Sequence, residues 1–181
     1  MHPFISGILL SAATTLFIGL VITARLDARN RRLSAVHQAR DEFSRRVLVI
    51  LSACGRLRAT PIPDSLAEER PALAEKLTAE RQRWIDQLDE ATRYLVDNVE
   101  AFGLSYATPR GRDIASRFAA NARAIMISDR SLDSQIERLT ALAGPVQNIF
   151  FTRRWRLITI GRSFQEFDQA VTALDSDQPS T

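Results

Sequence analysis

The sequence predicts an all-α protein, with one N-terminal transmembrane helix followed by a cytosolic antiparallel bundle of long helices. Three observations favour this fold class. The 22 residues from Pro3 to Ala24 carry no charge. Apolar residues later in the chain recur at spacings of three, four and seven, which is typical of amphipathic helices. Only 7 Gly and 7 Pro interrupt 181 residues, 45% of which are hydrophobic, so a folded core is expected rather than disorder.

The uncharged run is long enough to cross a bilayer. At about 1.5 Å per residue it would span roughly 33 Å as a helix, close to a hydrocarbon core of about 30 Å. A cleaved signal peptide is the rival interpretation. The run is too long for one, nothing basic precedes it, and Ile22-Thr23-Ala24 is a poor cleavage site. We therefore expect an uncleaved membrane anchor over residues 3–24.

The basic residues beside this run predict its orientation. No Lys or Arg precedes it, whereas Arg25, Arg29, Arg31 and Arg32 follow it closely. Positive charge is retained on the cytoplasmic side. The expected arrangement is a single pass through the plasma membrane, with the N-terminus outside and the C-terminal domain cytoplasmic. These four arginines form a juxtamembrane basic cluster beside the anionic headgroups of the lipid bilayer.

Small residues recur every fourth position within the run. A row of this kind lets two helix backbones approach closely, so it predicts self-association into a homo-oligomer. An ordinary lipid-facing helix is the alternative, because 10 of the 22 residues are Gly, Ala, Ser or Thr. The row consists of Gly7, Ser11, Thr15, Gly19 and Thr23.

An Arg-rich helix over residues 25–60 should continue directly from the anchor. No Gly or Pro occurs between Arg25 and Cys54, and Gly55 with the turn at 60–64 should end it. Its apolar residues follow an a/d seam, on which Cys54 should be a small buried residue, and the part from Leu33 to Leu57 could dimerise by itself. The seam contains Leu26, Leu33, Val36, Phe43, Val47, Ile50, Cys54 and Leu57.

The bundle domain is expected over residues 65–174, followed by a polar tail at 175–181. Its first helix should start near Ser65 or Pro71, with Ser65 and Glu68 as a capping box, and should end at Gly103. Thr108-Pro109 reads as the N-cap and first turn of the next helix, which should bury Ile114, Phe118, Ala122 and Ile125.

Two further helices complete the predicted bundle. A short one should run from Leu132 to Ala143 and stop at Gly144-Pro145. The last one should extend from about Phe150 to Leu174. A local strand between Asn148 and Ile160 is the alternative, because that stretch is rich in Ile, Phe, Trp and Thr.

No pattern typical of an enzyme or a cofactor site is found. The chain has no G-x-G and therefore no dinucleotide fingerprint, and its two histidines are too few for the usual metal centres. His37, with Asp41 one turn on, reads as a surface pair. Cys54 is alone, which excludes an internal disulfide and a cysteine-based zinc site. The basic turn at 109–113 is the nearest candidate for binding phosphate. We assign no catalytic, cofactor-binding or metal-binding residue and expect no enzyme.

Net charge bears on the partners. It is only +3, since 21 acidic residues offset 24 basic ones, so nucleic acid is not indicated. The sequence predicts a membrane-anchored interaction or scaffold protein that holds an unidentified cytosolic protein partner. The alternative is a membrane-active effector or regulator. It would act through oligomerisation of the anchor and through the amphipathic aromatic-Arg stretch at 150–157.

Overall fold

The computed structural model describes residues 3–106, 108–151 and 157–176. It does not describe the side chains of residues 3–24, 64, 67 and 157–159. Every regular element in the described ranges is a helix, which confirms the predicted all-α class. The helices are α1 (Pro3–Ala59), α2 (Asp64–Glu69), α3 (Pro71–Asp97), α4 (Val99–Ser105), α5 (Pro109–Met126), α6 (Leu132–Phe151) and α7 (Leu157–Ser176).

The chain divides into two compact units. The first is Met1–Gln38, whose described backbone is the beginning of α1. The second is Ala39–Thr181, which contains the rest of α1 and the other described helices. This second unit is the helical bundle.

The N-terminal part of α1 includes the predicted transmembrane segment, Pro3 to Ala24. Its backbone is helical, and its side chains lie outside the described residues. Among the residues that the structure describes, no helix was found to be both long enough and apolar enough to cross a membrane.

The C-terminal part of α1 supplies a central strip of the bundle core. Phe43, Val47, Ile50, Cys54 and Leu57 are all buried, as the predicted seam requires. The same seam is not covered further towards the N-terminus. Leu26 is 51% exposed and Leu33 is 47% exposed. The seam is therefore buried between Phe43 and Leu57 and about half exposed at these two leucines.

The end of α1 lies four residues later than Gly55. The helix continues through this glycine because its φ is not positive, so its backbone needs no special conformation. It stops at Ala59, immediately before the turn at Thr60-Pro61. Proline restricts the residue before it to extended conformations, which explains this boundary.

The predicted second helix is three helices in the structure. Pro71 separates α2 from α3, and the predicted capping box is wrong: Pro63 is the N-cap of α2 and no side chain caps it. A second break at Asn98, not predicted, separates α3 from α4. Gly103 lies inside α4 rather than after a helix.

The next helix agrees with its prediction. The Thr108 side chain accepts a hydrogen bond from the Gly111 N–H at 3.2 Å, and Pro109 occupies the first turn of α5. All four residues expected to face inward are buried: Ile114, Phe118, Ala122 and Ile125.

Helix α6 corrects the predicted stop at Gly144-Pro145. It runs from Leu132 to Phe151 with Pro145 inside it. A proline removes one backbone hydrogen bond within a helix, but Pro145 and its neighbour Val146 are buried in the bundle, and this packing holds the helix together. The strand alternative is wrong for the described part of 148–160, which is helical on both sides of residues 152–156.

Neighbouring helices in the bundle pack in a simple order. α2 packs on α3, α5 contacts α3, α4 and α6, and α6 packs on α7. Helix α5 thus contacts three of these helices, and its alanines Ala115, Ala119 and Ala122 are fully buried. Small side chains there allow the surrounding helices to approach.

Candidate interaction surfaces

The predicted self-association row lies on the N-terminal part of α1. Gly7, Ser11, Thr15, Gly19 and Thr23 all have helical backbone. Their side chains are outside the described residues, so the contacts of this row stay a prediction.

The predicted juxtamembrane cluster is a set of exposed cations. Arg25, Arg29, Arg31 and Arg32 are all exposed on α1. None of the four forms an ion pair or a hydrogen bond with another residue that the structure describes. Their guanidinium groups are therefore available to an external anionic partner.

Some arginines of the bundle differ from this cluster, because their guanidinium groups connect helices. Arg46 of α1 pairs with Glu42 and reaches Glu90 of α3, and it lies 4.1 Å from the centre of the Tyr94 ring. Arg117 of α5 pairs with Asp168 of α7 at 2.9 Å. These two cations already have partners within the bundle.

A part-buried ion pair joins α3 to α5. Arg123 donates to the Asp89 carboxylate, which also pairs with Arg93 at 2.6 Å. The hydrogen bond from Arg123 is the main reason that the pKa of Asp89 is lowered from 3.8, and the charges of Arg123 and Arg93 add to it. Burial opposes this shift but does not reverse it. A carboxylate held ionised in this way stabilises the fold and is a poor general base.

The basic turn at 109–113 is also used internally. The guanidinium of Arg110 lies 4.0 Å from the centre of the Phe164 ring. Arg112 donates through Nε to the backbone oxygen of Tyr106 at 2.9 Å. Both cations predicted to hold a phosphate thus contact other parts of the bundle, which weakens the phosphate hypothesis.

The aromatic-Arg stretch begins in the core. Phe150 lies 5.5 Å from Phe43 and 4.4 Å from Tyr106, measured between ring centres. Phe151 is 40% exposed. Residues 152–156 are not among the residues that the structure describes. Because Phe150 is packed in the bundle, its ring is not free to enter a headgroup layer in this conformation.

The single cysteine is a core residue. Cys54 is only 1% exposed, and burial raises the pKa of its thiol to about 11, partly offset by a hydrogen bond with Thr140. Little of it is thiolate near neutral pH, so it is a poor nucleophile.

His37 is exposed on α1. In the described ranges no three His, Cys, Asp or Glu side chains converge as a metal site would require.

Two open grooves lie on the bundle surface. One of about 490 Å³ runs between α1 and α3 over Leu48, and its cations Arg46 and Arg56 are already hydrogen-bonded to α3. Another, of about 470 Å³, lies between α4 and α5 beside Leu104, which is 72% exposed. Both grooves are shallow surfaces rather than enclosed ligand sites.

The exposure of Leu26, Leu33 and Leu104 was not predicted from the sequence, and neither was that of Leu73. The spacing places Leu26 and Leu33 on the same seam as the buried residues of α1. The arginines around Leu26 and Leu33 were the available signal, because a buried seam rarely has so many unpaired cations beside it. No pattern in the sequence marked Leu104 as exposed.

Comparison with known proteins adds no functional assignment. No family model, no curated protein and no solved structure matches the chain. Any function must be argued from the residues themselves.

Proposed function

We propose that this protein is a single-pass, membrane-anchored helical module that binds a partner protein at the cytosolic face of the membrane. The observation that carries this proposal is the contrast along α1. Its C-terminal part is buried in the bundle, whereas residues 25–35 are exposed throughout. A helix that leaves apolar and cationic side chains uncovered over this length offers a surface for another macromolecule.

The membrane part of the proposal depends on the sequence. The 22-residue uncharged run and the arginines that follow it are the supporting facts. No spanning helix was found among the described residues, so this placement needs a direct experiment. Self-association through the small-residue row belongs to the same part of the proposal.

Membrane placement is tested with the full chain in cells. We expect the protein to stay in the membrane pellet after extraction at alkaline pH. A fluorescent protein fused after Thr181 should fluoresce, and alkaline phosphatase fused at the same point should be inactive. An active phosphatase fusion, or release of the protein by alkaline extraction, would contradict the proposal.

Partner binding is tested by photo-crosslinking in native membranes. A photoreactive residue replacing Ser34, which is exposed on α1, should give a discrete heavier band. The same residue replacing Leu95, which is fully buried, should not. The absence of any adduct at Ser34 and at the exposed Leu104 would count against an interaction module.

The membrane-active alternative has less support. It requires the aromatic-Arg stretch to enter the headgroup layer, and Phe150 of that stretch packs against Phe43 and Tyr106. No observation in the described part of the chain favours this alternative over the interaction module.

A further inference from the structure

Two leucines lie within the exposed stretch of α1 at residues 25–35. Leu26 is 51% exposed and Leu33 is 47% exposed. They are seven residues apart, which is about two helical turns, so they lie above one another on one side of the helix. Exposed leucines paired in this way form a short apolar row.

A row of arginines runs beside this apolar row. Arg25, Arg29 and Arg32 follow each other at spacings of four and three. Arg29 lies three residues after Leu26 and four before Leu33, and side chains at these separations are neighbours on a helix. We call the five residues the Leu26–Leu33 face. Its arginines form no ion pair with any residue that the structure describes.

The charge of this face argues against a second copy of the chain. In a symmetric pair, each copy would bring the same three cations to the contact, and like charges brought together oppose association. Two copies of the Leu26–Leu33 face would therefore repel each other rather than associate.

A lipid surface accounts for the arginines but not for Leu33. On a straight helix, Leu33 would lie about 14 Å beyond Ala24 along the axis, at 1.5 Å per residue. That distance places it beyond the hydrocarbon, where an apolar side chain gains nothing from lipid. An apolar row interleaved with cations is instead complementary to a helix that has an apolar row flanked by carboxylates.

We infer that the Leu26–Leu33 face binds an acidic amphipathic helix of a partner protein. The leucines pack against its apolar row, and Arg25, Arg29 and Arg32 pair with its Glu or Asp side chains. This inference rests on the proposed function, because it specifies the chemistry of the partner that the module would hold.

The direct test measures peptide binding to the full-length protein in nanodiscs of uncharged lipid. The probe is a fluorescent three-heptad peptide with Leu at the a and d positions and Glu at e and g. Its control is the same peptide with Lys in place of Glu. We expect the Glu peptide to bind at least tenfold more tightly than the Lys peptide. Its affinity should fall as salt is raised, since exposed charge pairs are screened within about 8 Å at physiological ionic strength.

Matched variants locate the site. Arg29→Glu should weaken the Glu peptide at least tenfold and strengthen the Lys peptide. Arg31→Glu makes the same change of charge two residues further on, which points to a different side of the helix, and should change either affinity less than threefold. Leu33→Ser should weaken binding at least tenfold. Leu104→Ser removes a more exposed leucine elsewhere and should leave binding unchanged.

Several results would overturn the inference. Equal binding of the two peptides would exclude charge recognition, and equal effects of Arg29→Glu and Arg31→Glu would exclude this face. A dimer in sedimentation that Leu33→Ser dissociates would assign the face to a second copy. Binding to phosphatidylserine vesicles that Arg29→Glu abolishes and Leu33→Ser does not, without peptide binding, would assign it to lipid.

The proposed function is tested by a separate experiment from the inference about the partner helix. It is judged by alkaline extraction of the wild-type chain from cells, a measurement that involves no peptide. A chain that leaves the membrane would refute the proposed function whatever the peptides do. A chain that stays there without discriminating between the peptides would refute only the inference about the partner.

Discussion

Arg81 of α3 donates to the backbone oxygen of Leu57 at 3.0 Å, and to that of Thr60 at 2.5 Å. The last carbonyl groups of a helix have no partner within it. Arg81 therefore closes the C-terminal end of α1 and ties it to the second long helix of the bundle.

Replacing this cap should destabilise the bundle. We expect Arg81→Met to lower the free energy of unfolding by roughly 1–2 kcal/mol, because two part-buried carbonyl groups lose a charged donor. Arg83→Met is the control, since Arg83 is 65% exposed and pairs only with Glu80 on its own helix. It should change stability by less than about 0.5 kcal/mol. Urea denaturation followed by circular dichroism measures both, and equal losses would contradict the capping role.

Acid should weaken the link between α3 and α5. The pKa of Asp89 is lowered from 3.8, chiefly by its hydrogen bond with Arg123. Its contribution to stability is therefore present above pH 3.8 and is lost as the pH falls through the lower value in the folded state. The Asp89 side chain is 38% exposed, so solvent screening limits this contribution to about 1 kcal/mol or less.

The measurement compares wild type with Asp89→Asn at several pH values. Near pH 6 the variant should be the less stable, and the difference should narrow as the pH falls below about 3.8. Asp113→Asn is the control, because Asp113 is 57% exposed and pairs only within its helix. A gap between wild type and Asp89→Asn that does not depend on pH would show that the carboxylate charge is not the cause.

Two glycine-to-alanine substitutions should change the stability of the protein in opposite directions. At Gly55, inside α1, an added methyl group would meet nothing within 4 Å. Gly55→Ala should raise stability by about 0.5–1 kcal/mol, since alanine favours the helix. At Gly111 the methyl carbon would lie 3.0 Å from Thr108 Oγ1 and 3.2 Å from Tyr106 Cβ. Gly111→Ala should cost roughly 1 kcal/mol by disturbing the N-cap of α5. Thermal denaturation of both variants checks the signs, and a stabilising Gly111→Ala would be the contrary result.

Self-association of the predicted membrane segment should depend on its glycines. Gly19→Ile should weaken association of residues 3–24 in a two-hybrid-type membrane assay, because a larger side chain keeps two backbones apart. Leu10→Ile lies off the row of small residues and should have little effect. If both variants behave alike, the row has no special role.

The sequence was most informative where local chemistry decides the structure. Thr108-Pro109 begins α5 as predicted, because a cap and a proline act within one turn. The buried strip from Phe43 to Leu57 was predictable because its spacing matches one side of a helix. The continuation of α6 through Gly144-Pro145 was not, since it depends on Pro145 and Val146 being packed by other helices.

The candidate site was predictable only in part. The arginines of the Leu26–Leu33 face could be identified from the sequence. The exposure of Leu26 and Leu33 could not, because they have the same spacing as the buried part of the seam. Whether a seam residue is covered depends on how far the other helices extend along α1. That extent depends on tertiary packing, which cannot be predicted from the periodicity of one helix.

Phe43 also has a consequence for how the protein is made. Its ring contacts Phe102 and Phe118 at 5.4 and 5.9 Å and Phe150 at 5.5 Å, between centres. Phe150 is synthesised 107 residues after Phe43 (from position 43 to position 150). At about 5–20 residues per second, a ribosome needs on the order of 5–20 s to reach it. Throughout that interval the apolar strip of α1 lacks part of its cover, so its side chains stay exposed until the last of the bundle has been made.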